Sequence, residues 1–160
     1  MDDRLLSIYL NDHLAGMSVG RSLAQRSVGN NSGHEVGGPL REILEEIEAD
    51  AEVLREVMAR VGARKDGLKQ VAAAVAERIG RLKLNGRLVG YSPLSRVEEL
   101  EGLVIGVSGK LALWRTLERL APGDPRIAFD FAGLVRRAES QLERLEQLRV
   151  QAVEEAFRPA

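Results

Sequence analysis

The 160-residue chain contains no cysteine, only two histidines and few aromatic residues, which make up 4% of it. The absence of cysteine excludes disulfides, zinc sites built on thiolates and cysteine nucleophiles, and it suits a reducing cytoplasm. Long apolar runs are also missing: no segment approaches about 18 residues without a charged side chain, so no membrane span is predicted. The start of the chain, MDDRLLSIYLNDHL, lacks the basic region and the apolar core of a signal peptide. We therefore expect a cytoplasmic protein with no membrane partner.

The chain also lacks an excess of charge of either sign, because its formal net charge is only -1. Such a balance gives no general attraction to nucleic acid or to an anionic bilayer. Glycine patterns typical of nucleotide binding or of serine nucleophiles do not occur in a strand-to-helix setting, and no strand-like alternation is longer than a few residues. With 44% hydrophobic and 29% charged residues, the composition is that of an ordinary globular protein. The sequence predicts one all-α domain over residues 1–160.

Proline marks the starts of three predicted helices. Gly38-Pro39, Ser92-Pro93 and Asp124-Pro125 each place a capping residue before a proline and an apolar-periodic run. Apolar spacing of three and four residues predicts long helices over about 3–27, 39–61, 93–121 and 125–157. Ser95 and Glu98 also fit a capping box, so the third long helix has an alternative start one turn later.

Two segments connect these helices in different ways. Residues 28–38, VGNNSGHEVGG, are rich in glycine, serine and asparagine and predict a flexible loop. Residues 62–92 are too long for a simple turn and contain a predicted short helix over about 67–79, followed by an extended stretch with three glycines. A single long crossover between the second and third long helices is typical of ferritin-like bundles, whereas simple up-down bundles need only short loops.

The segments YLNDHLAG, EEIEAD and SRVEELEGL look like the polar-studded inner faces of such bundles. On helix order and these segments, the chain resembles the ferritin-like superfamily over most of its length. The resemblance implies an up-down four-helix bundle with one long crossover that contains a short fifth helix. Members with a dimetal centre carry Glu-x-x-His on two helices, and no such motif occurs here. The resemblance therefore implies the fold without the standard metal site, and we expect no cofactor.

A weaker metal-site hypothesis remains open. One ionisable residue on each long helix lies on or beside the apolar stripe; these are His13, Asp50, Glu101 and Glu139. If they converged, their oxygen and imidazole ligands would suit iron or manganese. The favoured alternative is that they are solvated, or paired with arginines such as Arg137 or Arg144.

A basic stretch precedes the third long helix. From residue 78 to 96 there are five basic residues and no acidic one, which makes Arg81, Lys83, Arg87 and Arg96 candidates for an anion site. The alternative is a solvated connection whose arginines pair with acidic side chains of neighbouring helices. Nucleic acid is disfavoured, because Tyr91 alone is a poor platform for base stacking.

The third long helix carries Gly102, Gly106 and Gly109, and each interior glycine lowers helix stability by about 1 kcal/mol relative to alanine. Close approach of a neighbouring helix, a dimer contact and a space for a ligand are the three open explanations. Trp114 is predicted to pack in the core. No residue pattern identifies a reaction, so the sequence favours a non-catalytic interaction or structural module, with a homodimer along a long helix as one form of it. A divergent metal-binding protein and an anion binder remain the alternatives.

Overall fold

The computed structural model describes residues 1–63 and 91–159. These residues form four long α-helices and contain no strand, which confirms the all-α prediction. The helices are α1 (Asp3–Asn30), α2 (Gly37–Arg60), α3 (Pro93–Leu120) and α4 (Phe131–Ala156). Two short 3-10 turns, Ala121–Gly123 and Pro125–Ile127, connect α3 to α4.

Side-chain caps explain three of the four helix starts. The Asp2 carboxylate accepts hydrogen bonds from the backbone N–H groups of the first turn of α1. Ser92 does the same for α3 through the N–H of Ser95, with Pro93 as the first helical residue. Asp130 caps α4 through the N–H of Gly133. Each cap satisfies donors that have no partner inside the helix, and the predicted start at Pro93 is confirmed.

The loop prediction over residues 28–38 is wrong at both ends. Helix α1 continues to Asn30 and α2 begins at Gly37, so Pro39 is the third residue of α2 rather than the first. Asn31 and Val36, which bracket the turn, are both buried. The amide of Asn31 donates to the carbonyl of Ser27 and to the hydroxyl of Tyr91. The connection is therefore a short packed turn, and the buried Asn31 side chain holds it through these hydrogen bonds.

The predicted start of the last helix is also wrong. Pro125 begins a 3-10 turn, which Asp124 caps by accepting from the N–H of Arg126. The apolar Ile127 is completely buried at the end of this turn, and α4 starts only at Phe131. Asp124 followed by Pro125 does start a helical segment, but this segment is the 3-10 turn that precedes α4 and not α4 itself.

Cross-helix contacts fix the helix directions. Tyr9 near the start of α1 contacts Thr116 near the end of α3, whereas Arg26 near the end of α1 contacts Glu99 near the start of α3. Helices α1 and α3 are therefore antiparallel. The same holds for α2 and α4, since Glu46 meets Arg144 and the later Asp50 meets the earlier Arg137. Because the short turn between them makes α1 and α2 antiparallel too, α2 and α3 run in the same direction.

Ala63 and Tyr91, the described residues on either side of residues 64–90, lie at opposite ends of the helices. Arg60, in the last turn of α2, stacks on the ring of Phe129, whereas Tyr91 hydrogen-bonds to Asn31 at the other end. The predicted crossover over residues 62–92 and its short helix fall almost wholly on residues 64–90, outside the described residues.

Apolar stripes from all four helices form one core. Trp114 is completely buried in this core, as predicted. Its ring lies against the ring of Phe131. Helices α3 and α4 have the closest packing, followed by α1 with α2 and α1 with α3, while α2 and α4 pack against each other only sparsely. Long polar side chains bridge this last gap, and the candidate site lies there.

Candidate functional site

Three polar side chains meet in the interior of the bundle. Asp50 of α2 and Gln141 of α4 are completely buried, and Lys110 of α3 is 3% exposed. Each stands in an apolar stripe at helical spacing, so the same periodicity that buries the neighbouring leucines and valines also buries these groups. We call Asp50, Lys110 and Gln141 the central cluster.

Hydrogen bonds to Lys110 and Arg137 use both oxygens of the Asp50 carboxylate. The Lys110 ammonium donates to Oδ2 of Asp50 and also to Oε1 of Gln141. Arg137 of α4, whose side chain is partly exposed, donates to Oδ1 of Asp50. A buried carboxylate with a cation on each oxygen is the arrangement that makes a charge tolerable in a protein interior.

The cluster continues toward solvent along the gap between α2 and α4. The Gln141 amide donates to Oε2 of Glu46 over 2.7 Å, and Arg144 donates to the same oxygen. Arg144 also reaches Glu42, 3.8 Å away, at the exposed rim. Polar contacts thus run from the centre of the bundle to its surface.

Burial lowers the pKa of Lys110 from its ordinary value, because removing the ammonium from water disfavours the charged form. The Asp50 carboxylate acts in the opposite direction through charge attraction and a hydrogen bond. The ammonium, the carboxylate and the guanidinium together form a salt-bridged network in which each carboxylate oxygen already accepts from a cation.

The four metal-ligand candidates lie in separate environments. Asp50 is in the central cluster, whereas His13 packs edge-on against the ring of Tyr9. Glu101 is exposed and 3.9 Å from Arg149, and Glu139 is exposed and paired with Arg115 at 2.7 Å. The structure therefore does not bring these residues together. No group of three or more His, Asp or Glu side chains suited to a metal ion occurs within residues 1–63 and 91–159.

His13 and Asp50 nevertheless show that polar groups on the stripes are partly or fully buried, as the sequence indicated. Burial lowers the pKa of His13, with the charge of Asp12 acting in the opposite direction. The pairing of Asp50 with Arg137 and of Glu46 with Arg144 agrees with the alternative in which arginines neutralise these acids.

Lys110 and Gln141 were not predicted from the sequence, although a signal for both was present. Lys110 follows Leu103 and Val107 by seven and three residues and precedes Trp114 by four, which places it on the buried stripe of α3. Gln141 likewise lies between Ala138 and Leu145 on the stripe of α4. A search for polar residues at stripe positions, rather than for metal ligands, would have found both.

A second polar cluster lies where α1, the turn before α2 and α3 meet. The buried Glu99 carboxylate accepts from Arg26 (2.8 Å), Asn30 (3.1 Å) and Tyr91 (3.0 Å). Burial is the main cause that raises the pKa of Tyr91 to about 12, and the nearby Glu99 charge adds to it. This cluster ties the start of α3 to the end of α1.

The basic candidates can be placed only in part. Arg96 donates to Oδ1 of Asn31 over 2.7 Å and pairs with Glu155 of α4, so its guanidinium is held by groups of the chain itself. Arg81, Lys83 and Arg87 lie outside the described residues. Arg96 therefore pairs with an acidic side chain of a neighbouring helix, Glu155, as in the alternative to an anion site.

The glycines of α3 have different surroundings. A Cβ atom at Gly102 would lie 2.8 Å from Cδ2 of Leu23, so close approach of α1 accounts for this glycine. At Gly106, and at Gly16 and Gly20 on α1, a Cβ would meet no atom of the described residues within 4 Å. These three line an open crevice between α1 and α3. Close packing therefore explains Gly102 only.

Ile105, which precedes Gly106 on α3, has a side chain that is 73% exposed. No helix within residues 1–63 and 91–159 is both long and apolar enough to cross a bilayer.

Comparison of the chain with protein-family models, with curated proteins and with solved structures gave no significant match in any of the three.

Proposed function

We propose that the chain is a ferritin-like four-helix module without catalytic activity, which acts as an interaction or structural protein through its surface. Two observations support the ferritin-like assignment. Helices α2 and α3 run in the same direction, and Ala63 and Tyr91 lie at opposite ends of the helices. This is the arrangement of bundles with one long crossover.

The central cluster is the observation that carries the functional part of the proposal. Dimetal proteins of this architecture direct several carboxylates and histidines from their helices toward one point in the core. Here the central cluster contains one carboxylate, Asp50, whose two oxygens accept from Lys110 and Arg137. A metal cation at this carboxylate would have to displace two positive groups, and one of them, the Lys110 ammonium, would stay buried beside it. The donor set therefore disfavours metal handling, which is the main alternative.

The test is a metal titration of protein purified without a chelator. We expect no stoichiometric iron, manganese or zinc, and no change of the unfolding midpoint when iron(II) or manganese(II) is added to saturation. One bound ion per chain that is lost on His13→Ala or Glu101→Ala, but kept on the exposed control Glu118→Gln, would instead support the metal-binding alternative.

A second copy of the chain is the partner that the surface favours. Between Gly102 and Ala112, α3 exposes no charged side chain, since its one charged residue in this stretch, Lys110, is buried. The protruding Ile105 is followed one turn later on the same helix by the exposed Gly109, so two antiparallel copies of α3 would each place an isoleucine over a glycine. Loss of charge and a projecting apolar side chain are typical of interface centres, and such a contact is the self-complementary kind found in two-fold dimers.

Light scattering coupled to gel filtration tests this partner. We expect a dimer whose dissociation is promoted by Ile105→Lys and not by Val150→Lys, which adds the same charge at an exposed apolar position of α4. A monomeric wild-type chain at high concentration would contradict the dimer and leave the metal test unaffected.

A further inference from the structure

The apolar stripe of α2 does not define its own position along the bundle. Leu40, Ile43, Ile47, Leu54 and Val57 are all buried aliphatic residues. A shift of α2 by one turn, or about 6 Å along its axis, would replace them with residues that are also apolar: Leu44, Ile47, Ala51, Met58 and Val61. At Gly37, Ala51 and Met58 the incoming residues would be Arg41, Arg55 and Gly62, and a long arginine side chain can reach solvent from a stripe edge. Hydrophobic burial alone therefore distinguishes the two positions weakly.

Asp50 strongly distinguishes the observed position of α2 from the position shifted by one turn. It is the one charged residue among the buried residues of α2, a helix that lies wholly within the described part of the chain. After a shift by one turn, Leu54 would face Lys110 and Arg137, and the buried ammonium would lose its carboxylate. After a shift in the opposite direction, Glu46 would reach the lysine, but Asp50 would enter the apolar site of Leu54. Either change leaves a buried charge without a counter-charge, which proteins tolerate poorly.

Gln141 extends the same discrimination to α4. It is the one polar residue among the buried residues of that helix, which is also wholly described, and it accepts from Lys110 while donating to Glu46 of α2. The cluster thus joins three helices at one level of the bundle. It lies between α2 and α4, which pack against each other only sparsely, so apolar interdigitation gives little discrimination there.

We infer that the central cluster of Asp50, Lys110 and Gln141 is a register lock, which selects the observed pairing of α2 with α3 and α4 over pairings shifted by one helical turn. Single buried polar residues fix the register of coiled coils in the same way. The inference concerns how the chain packs, and it is independent of whether the protein binds a metal or forms a dimer.

The first test moves the carboxylate one turn along α2 by the two substitutions Asp50→Leu and Leu54→Asp. The lock predicts a folded protein in which nuclear Overhauser contacts between α2 and α4 are displaced by one turn, because only that shift restores the ion pair with Lys110. Contacts in the original register, or loss of the folded state, would overturn the inference. Leu54→Ala is the matched control, and it should lower stability while keeping the original contacts.

The second test removes the lock with Asp50→Leu, Lys110→Met and Gln141→Leu in one chain. We expect full helical content and an unfolding midpoint at or above that of the wild type, since apolar replacement of a complete buried ion pair is commonly neutral or stabilising. The two-dimensional amide spectrum should nevertheless show more than one resonance for residues of α2, where the wild type shows one. A single set of resonances with the original contacts would overturn the inference, and so would failure to fold.

Discussion

Lys110 and Asp50 are 60 positions apart in the sequence, yet their charged groups pair in the interior of the bundle, where both side chains are almost completely withdrawn from water. Arg137 provides a second positive charge for Asp50, on the other carboxylate oxygen. Within the central cluster, Asp50 is the carboxylate that neutralises Lys110. Removing one partner therefore exposes the other to the full penalty of an uncompensated buried charge.

Replacing Asp50 by asparagine tests this penalty. We expect Asp50→Asn to lower the free energy of unfolding by about 3–5 kcal/mol, because Lys110 and Arg137 would lose their shared carboxylate. Urea denaturation followed by circular dichroism measures the change. The control is Glu139→Gln, which removes an exposed pair with Arg115 and should change stability by no more than about 0.5 kcal/mol. Equal effects of the two substitutions would show that the central pair contributes no more than a surface pair.

The fold class could be predicted from the sequence because its signals are local and repeated. Apolar spacing identified four long helices, and Ser92-Pro93 identified the start of α3 to the residue. The turn between α1 and α2 could not be predicted, since glycine and asparagine indicate a loop regardless of what the folded chain packs there. Asn31 is buried through contacts with Tyr91 and Arg96, residues more than 50 positions away.

The candidate site was only partly predictable, for a different reason. Asp50 was identified as an ionisable residue on a stripe, and Arg137 as a partner for such residues, but Lys110 was not considered. Lysine is rarely buried, and its burial here depends on a carboxylate and an amide from two other helices. A pairing of this kind is a property of the assembled bundle, so no pattern within one helix specifies it.

The capping hydroxyl of α3 gives a second prediction. Ser92 accepts from the N–H of Ser95, so Ser92→Ala should lower the free energy of unfolding by about 1 kcal/mol. Ser95→Ala removes only a hydroxyl that contacts Ser92 and leaves the cap in place, so its effect should be smaller. Thermal unfolding of both variants measures the difference. A larger effect of Ser95→Ala would favour the later helix start with Ser95 and Glu98 as a capping box.

Two glycines give a third prediction with opposite outcomes. Gly16→Ala should stabilise the protein by about 0.5–1 kcal/mol, because alanine favours the helix and its Cβ enters open space. Gly102→Ala should gain less or destabilise, because the same methyl group lies 2.8 Å from Cδ2 of Leu23 and that side chain must move. Denaturation midpoints of the two variants give the comparison. Equal stabilisation at both positions would mean that Leu23 adjusts without loss and that close approach does not explain Gly102.

The raised pKa of Tyr91 gives a fourth prediction, for alkaline pH. The hydroxyl ionises at about 12 in the folded protein instead of its ordinary 10, mainly because of burial. Between these two values the unfolded chain releases the phenolic proton while the folded chain keeps it. Unfolding then releases a proton, so the contribution of Tyr91 to stability is complete below about pH 10 and is lost as the pH rises through the folded pKa.

Absorbance at the wavelength of tyrosinate measures this ionisation directly, with circular dichroism at each pH to confirm that the chain is folded. We expect a step near pH 12 that disappears in Tyr91→Phe and remains in Tyr9→Phe. The Glu99→Gln variant should lower the pKa of Tyr91, because it removes the adjacent negative charge that opposes formation of the phenolate. If the step that Tyr91→Phe removes lies near pH 10 in the folded wild-type protein, the Tyr91 hydroxyl is open to water, and the hydrogen-bonded cluster around Glu99 is not closed as described.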